Sequence, residues 1–316
     1  MKSARYMYLL LLSSLLMILV GCEFRDVLDD YPVSGVEIKL NWTGVTDKLP
    51  ETMRVIFYPK NEEGRRIESY LPPAGGEVKV PPGRYAVVIY NYNTESVLIR
   101  GDESYETIEA YTGHCTGLAT TEEMVWSPDA LYVVALDDVD IKKSDEVFLM
   151  EYKPEAVVQN YSFDIKIVGA SNLSGVVCNV SGLNGCYRLG KRTCSASEMP
   201  VNTEVVIKNG LLWGYFSQFK LSEGVKTRST MPFMLTLKLI KIDNTVQEVK
   251  VDITELLAPP PDGGGVEEPD EDVHIEVPVP GGEIEVEKPA PTPGGDGGIG
   301  GDVGDWGDED NVELPV

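Results

Sequence analysis

The strongest constraint on the fold lies between Pro32 and Leu257, where short apolar–polar alternations follow one another without a long helical period. Val36-Glu37-Ile38-Lys39-Leu40-Asn41-Trp42 alternates as a half-buried strand should. Residues 53–58 read as another strand, stopped by Pro59-Lys60-Asn61-Glu62-Glu63-Gly64. The turn Pro81-Pro82-Gly83 launches 84–92, rich in the β-favouring residues Tyr, Val and Ile. Further strands are predicted at 96–100, 107–111, 131–136 and 146–152. A second set falls at 161–168, 175–180, 204–207, 211–219, 233–242 and 246–253. Short strands about ten residues apart, with turn signals between them, predict β-sandwiches. No amphipathic stretch exceeds about two helical turns, so helical bundles and doubly wound sheets are excluded.

Composition divides the chain. Residues 258–316 carry 17 acids, a single base (Lys288), 13 of the 31 glycines and 10 of the 21 prolines. The break at Ala258-Pro259-Pro260-Pro261 is therefore sharp, and a softer one lies at Lys153-Pro154-Glu155. The expected organisation is a signal peptide (1–21), a short tether (22–31), one β-sandwich (32–154), a second (155–257) and an acidic extension (258–316). With 51 acids against 27 bases and a formal net charge of −24, binding to a nucleic-acid backbone is excluded as a function class.

The N-terminus supplies an address. Lys2 and Arg5 precede an apolar run over residues 6–20, shorter than the ~20 residues a membrane-spanning helix needs. The run ends in Leu19-Val20-Gly21-Cys22, which resembles a bacterial lipobox. Cleavage between Gly21 and Cys22, with diacylation of the cysteine, would give a stably anchored lipoprotein. The acids at Glu23, Asp26, Asp29 and Asp30 fit an outer-membrane or cell-surface destination.

Residues able to carry chemistry are sparse. Only His114 and His274 are histidines. His114 and Cys115 are sequence neighbours, and in a strand they would point to opposite faces, which argues against a Cys–His dyad. Asp137, Asp138 and Asp140 could hold a hard cation or serve a glycosidase, but read more simply as a solvated loop before Ile141-Lys142-Lys143. Gly75-Gly76 and Gly182 lack the context of a phosphate loop. Tyr90, Tyr92, Tyr105 and Tyr111 are candidates for a sugar platform, or ordinary sheet residues. After lipidation four cysteines remain: Cys115, Cys178, Cys186 and Cys194. Their even number permits disulfides in an exported protein, with three connectivities open, or buried free thiols. Gaps of 63, 8 and 8 residues are too wide for an ordinary zinc site, so neither a metal nor a cofactor is expected.

The acidic extension admits several readings. Residues 294–302 resemble a single glycine–aspartate calcium repeat, without the multiple copies that such arrays need. A Gly- and acid-rich chain buries too little apolar area to fold by itself, which favours a tether. Residues 274–279 and 283–287 nevertheless alternate like a hairpin around Pro280-Gly281-Gly282 and could complete the second sandwich at an edge. Residues 311–316, after Trp306, read as one further short strand suited to pairing with another subunit's sheet.

The order of several short motifs is similar to that of the fimbrillin superfamily of Bacteroidales-type fimbriae, and within it to the lipoprotein anchor and minor-subunit branch. Residues 36–42 end in a Trp before a Gly, and Met53-Arg54-Val55-Ile56-Phe57-Tyr58 follows. Pro81-Pro82-Gly83-Arg84-Tyr85, running into Tyr90-Asn91, resembles the family's lpxGxYxxxxYN stretch. Ser181-Gly182-Leu183 lies near its LSG element, Tyr215-Phe216-Ser217-Gln218-Phe219 resembles its f-x-x-F strand, and Val251-Asp252-Ile253-Thr254 its VDvT strand.

The resemblance implies an all-β protein of two transthyretin-like Greek-key sandwiches in tandem, anchored to the outer membrane by its N-terminal lipid. It implies a non-enzymatic role in adhesion or pilus assembly, joined to fimbrial subunits or to itself through sheet edges. The cysteine cluster at 178–194 departs from the pattern. So does the lack of an arginine processing site after the first strand, since Arg54 falls inside a predicted strand and Arg65-Arg66 comes late. A missing site favours an anchor or cap over a shaft subunit. The alternative is a surface glycan-binding lipoprotein of a polysaccharide-uptake system, using sheet aromatics to stack on sugars.

Overall fold

The computed structural model describes residues 34–45, 48–61, 64–116, 122–144, 146–220, 232–257 and 272–288. In chain order the first strands are β1 (Ser34–Leu40), β2 (Thr52–Pro59), β3 (Ile67–Leu71), β4 (Gly75–Val80), β5 (Gly83–Tyr92) and β6 (Val97–Arg100). Then come β7 (Glu109–Thr112), β8 (His114–Thr116), β9 (Glu123–Val125), β10 (Tyr132–Ile141), β11 (Phe148–Tyr152) and β12 (Glu155–Ala156). The later strands are β13 (Val158–Val168), β14 (Leu173–Ser181), β15 (Asn184–Arg188), β16 (Thr193–Ala196), β17 (Val201–Lys208) and β18 (Leu211–Phe219). β19 (Met234–Lys241), β20 (Val246–Asp252), the single turn α1 (Thr254–Leu257), β21 (Val273–Ile275) and β22 (Ile284–Glu285) complete the order. The protein is all-β, as its alternation predicts.

Three sheets stack around a common central layer. A three-stranded sheet, β11-β1-β4, covers one face of the five-stranded sheet β12-β10-β5-β2-β3. The other face is covered by the four-stranded sheet β16-β15-β7-β6. Period-2 alternation sorts the central strands between two cores. Met53, Val55, Phe57, Tyr85, Val87 and Ile89 meet Val36, Ile38 and Val80 on one side. Ile56, Tyr58, Ala86, Val88 and Tyr90 meet Ile108, Ala110, Tyr187 and Leu189 on the other. Burial on both faces explains why β2 and β5 are nearly unbroken apolar runs, which strands with one wet face are not.

The third sheet takes β6 and β7 from before residue 154 and β15 and β16 from after it. Its core also receives Val157, Val158 and Phe219.

The remaining strands form a ten-stranded sheet running β20-β19-β14-β17-β18-β13-β21, with β22 beside β13 and the β8–β9 pair beside β17. β17 is the corner, because residues 201–203 pair with β14 and 204–208 with β18. The sheet folds about its own core of Phe163, Ile165, Leu212, Phe216, Leu235 and Leu237. Gly214 in β18 is required by close packing: a Cβ there would lie 2.0 Å from the ring tip of buried Phe163.

Candidate assembly surfaces

The extension contributes to this second core. Residues 273–275 and 284–285 do not pair with each other as a hairpin. Both run parallel to β13, with Tyr161 opposite Val273, Phe163 opposite Ile275 and Ile167 opposite Ile284. The reason lies in the side chains. Ile275, Ile284 and Val286 are buried, and Val277 and Val279 pack against the same core, so one alternating stripe continues across the 3-10 turn Pro280–Gly282. Prolines 278 and 280 interrupt the ladder where no bond to β13 is made, as their missing N–H groups require.

Polar contacts fasten this edge. Asn160 donates to Asp272 at 2.9 Å, His274 Nε2 lies 3.0 Å from Asp164, and Lys166 Nζ lies 2.6 Å from Glu283. The Val286 amide donates to the Val168 carbonyl at 2.8 Å. On its far side the segment reaches β20, where Gln247 donates to the Glu285 carbonyl at 2.9 Å and accepts from the Glu287 amide at 3.2 Å. The extension therefore spans the gap between the two ends of the folded sheet.

At the opposite end of the chain β1 is a central strand. It pairs antiparallel with β4 and parallel with β11, and Val36 and Ile38 are fully buried. β11 is one of the two outer strands, and Val147 just before it and Phe148 and Leu149 at its start are 54%, 37% and 50% exposed.

The structure separates the other candidate residues. Gly21, Cys22, the 294–302 repeat, Trp306 and 311–316 lie outside the described residues. His114 is exposed on β8, while Cys115 beside it is half-buried, and burial raises its thiol. Asp137, Asp138 and Asp140 are not in a loop: they belong to β10, whose register slips between Leu136 and Val139. This bulge turns two consecutive carboxylates to solvent. Lys60 answers Asp137 at 3.2 Å and Arg84 pairs with Asp138, so the three do not converge on a shared ligand. The Arg84 hydrogen bond holds Asp138 below the usual carboxylate range.

Of the four tyrosines, Tyr90 and Tyr105 are core residues, and Tyr92 stands exposed, edge-to-face with Tyr70 at 5.0 Å. No platform unites all four.

The thiols of Cys115, Cys178, Cys186 and Cys194 are free. Cys178 is inside the second core, and burial pushes its thiol far up. Cys194 lies across the ladder from Tyr187, packed against the shared core, and burial lifts it to about 12. Cys186 sits opposite Ser195, with Sγ and Oγ 2.7 Å apart. Adjacent residues of β16 point to opposite faces, which keeps Cys186 and Cys194 on different sides of the sheet.

The buried charges are not visible in the sequence pattern. Arg54, inside β2, donates to both Glu68 oxygens at 3.0 and 2.9 Å, to Asp102 at 2.6 Å and to the Tyr90 hydroxyl at 2.5 Å. Burial disfavours its charge, but these acceptors more than offset that and raise its pKa; the same bond holds Glu68 low. Asp129 accepts from the amides of Glu95, Ser96 and Val97 and from the Ser96 hydroxyl. Burial opposes its ionisation, yet these donors hold it below its ordinary value. Glu109 of β7 takes Arg100 at 2.5 Å and Arg188 of β15 at 3.5 Å, an ion pair across the shared sheet. These groups are saturated with partners, which marks them as structural clasps.

A model of the family described as "Domain of unknown function (DUF5119)" matches residues 21–204. A Bacteroides ovatus protein, provisionally named fimbrium anchoring subunit Fim4B, is 51% identical over 334 aligned positions covering 100% of both chains. The chain belongs to this family of fimbrial proteins. A crystal structure of a family relative from Bacteroides ovatus, provisionally described as an adhesin, is 47% identical. It superposes with a TM-score of 0.71 over 86% of this chain and 99% of that one. A second Bacteroides ovatus structure with the same description shares the fold alone, at 10% identity and a TM-score of 0.54 over 80% of this chain and 90% of that one.

Proposed function

We propose that the chain is a non-enzymatic subunit at the base of a fimbrium, held in the outer membrane by acyl chains on Cys22 and joined to its neighbour by β-strand addition. Full-length identity of 51% to a fimbrium anchoring subunit carries this reading. The lipobox Leu19-Val20-Gly21-Cys22 supplies the lipid attachment. The position of β1 supports a terminal place in the fibre: with β4 and β11 on its two sides, β1 leaves no gap in the sheet for a neighbour's strand to take its place. Arg54 supports it too, because a guanidinium locked between Glu68 and Asp102 inside a strand is a poor protease site. We assign the sandwiches to 32–154 and 155–257, with β15 and β16 crossing to the first, the β8–β9 pair crossing to the second, and the 272–288 segment added to the second.

The test is Cys22→Ala in cells that express the fimbria. Mass analysis of the parent's N-terminal peptide should find acyl chains on Cys22. The variant should release fimbriae into the medium together with the protein. Fimbriae that stay cell-bound in the variant, or a parent peptide without acyl chains, would sink the reading.

A further inference from the structure

We infer that the start of β11 is a membrane-contacting wedge, pressed into the lipid surface beside the point where the N-terminal tether enters the fold. The inference rests on the lipid anchor at Cys22. Val147, Phe148 and Leu149 are three consecutive exposed apolar residues at the start of an outer strand. Phe148 shares its face with fully buried Val36, yet keeps 37% exposure because the sandwich ends there.

The tether arrives at the same place. Ser34 and Gly35 open β1, which runs parallel to β11 with Val36 opposite Phe148 and Glu37 opposite Leu149. A Cβ added at Gly35 would meet Val147 Cγ2 at 3.5 Å. Between Cys22 and Ser34 lie 11 residues, a reach of at most about 40 Å. Anchored acyl chains thus hold this end of the sandwich near the bilayer, where a weak apolar contact acts at high effective concentration.

The surrounding charge is compatible with a headgroup layer. Lys142 and Lys143 lie in the β10–β11 connection, separated from Val147 by Ser144, Asp145 and Glu146, and Lys79 lies opposite Gly35. Of the neighbouring acids, Glu37 is paired with Lys39 at 3.6 Å, while Glu77 and Glu146 flank the strip. Lysines beside exposed apolar residues suit an interface between headgroups and acyl chains.

The test uses the full lipoprotein reconstituted into phosphatidylethanolamine–phosphatidylglycerol vesicles with brominated acyl chains. Bromine should quench the indole introduced by Phe148→Trp and spare that introduced by Val206→Trp, an exposed position on the ten-stranded sheet. Combining Phe148→Ser with Leu149→Ser should speed transfer between vesicles about tenfold, the equivalent of one lost side-chain burial. Vesicle association with equal quenching at both positions overturns the wedge alone. No vesicle association by the parent overturns the anchor and the wedge together. Shielding of position 148 by fimbrial subunits but not by lipid gives the strip to a protein partner, and also overturns the wedge.

Discussion

Single residues set the tolerances of this fold. Arg54→Met would strip the main cation from Glu68 and Asp102, and removing one partner from a buried ionic cluster costs about 3–5 kcal/mol. Arg66 stays within 3.1 Å of Glu68 and 3.3 Å of Asp102, so about 3 kcal/mol is expected in urea unfolding. Gly214→Ala drives a methyl into the Phe163 ring, which is fully buried and has nowhere to swing. A loss of about 2–3 kcal/mol should follow by the same measurement.

Acid sensitivity follows from Glu68, Glu109 and Asp129, whose folded-state carboxyls all titrate below their ordinary values. Such groups stabilise the fold above the ordinary carboxylate range, and their contribution fades as pH falls through the lowered values. The melting temperature should therefore drop below about pH 4, and Asp129→Asn should flatten that drop. Arg54 and Asp129 were legible as residue types but not as clasps, because their partners lie up to 48 residues away.

Among elements, the 272–288 segment is the most informative. Its alternation was legible and its partner was not: hairpin and parallel edge strands share one period-2 pattern, and only the core beneath β13 chooses between them. Ile284→Ala should cost about 2–4 kcal/mol in thermal or urea unfolding, since the side chain is 4% exposed in the second core. A chain ending at Leu257 would lose Ile275, Ile284 and Val286 together, and its second core should melt first. An unchanged transition for Ile284→Ala would mean that this edge is not engaged in solution. The β10 bulge teaches the same lesson, for three aspartates in a row of five residues look like a loop until Val139 and Ile141 are seen returning to the core.

For the whole molecule, the shared sheet β16-β15-β7-β6 governs cooperativity. β13 and β18 serve both of its neighbours: Phe163 and Phe216 enter one core, Val158 and Phe219 the other. Phe219→Ala should cost about 3–5 kcal/mol. It should also lower amide-exchange protection in β5 and β7 as well as in β18; protection lost in β18 alone would mean that the two halves unfold independently.

The alternation of side chains is written locally, so the sequence by itself determined the β class, the positions of most strands and the lack of long helices. The same local record marked the lipobox and the order of motifs shared with fimbrial proteins. Layering was decided by the tertiary structure. The run Tyr85-Ala86-Val87-Val88-Ile89-Tyr90 announces a strand, but that both its faces are covered depends on sheets drawn from residues 34–80 and 97–196. Residues 184–196 carried cysteines and turn signals; their strands became apparent only beside β7, where Glu109 and Arg188 meet. Register, burial and pairing depend on groups brought together from distant parts of the chain, and no window of neighbouring residues contains them.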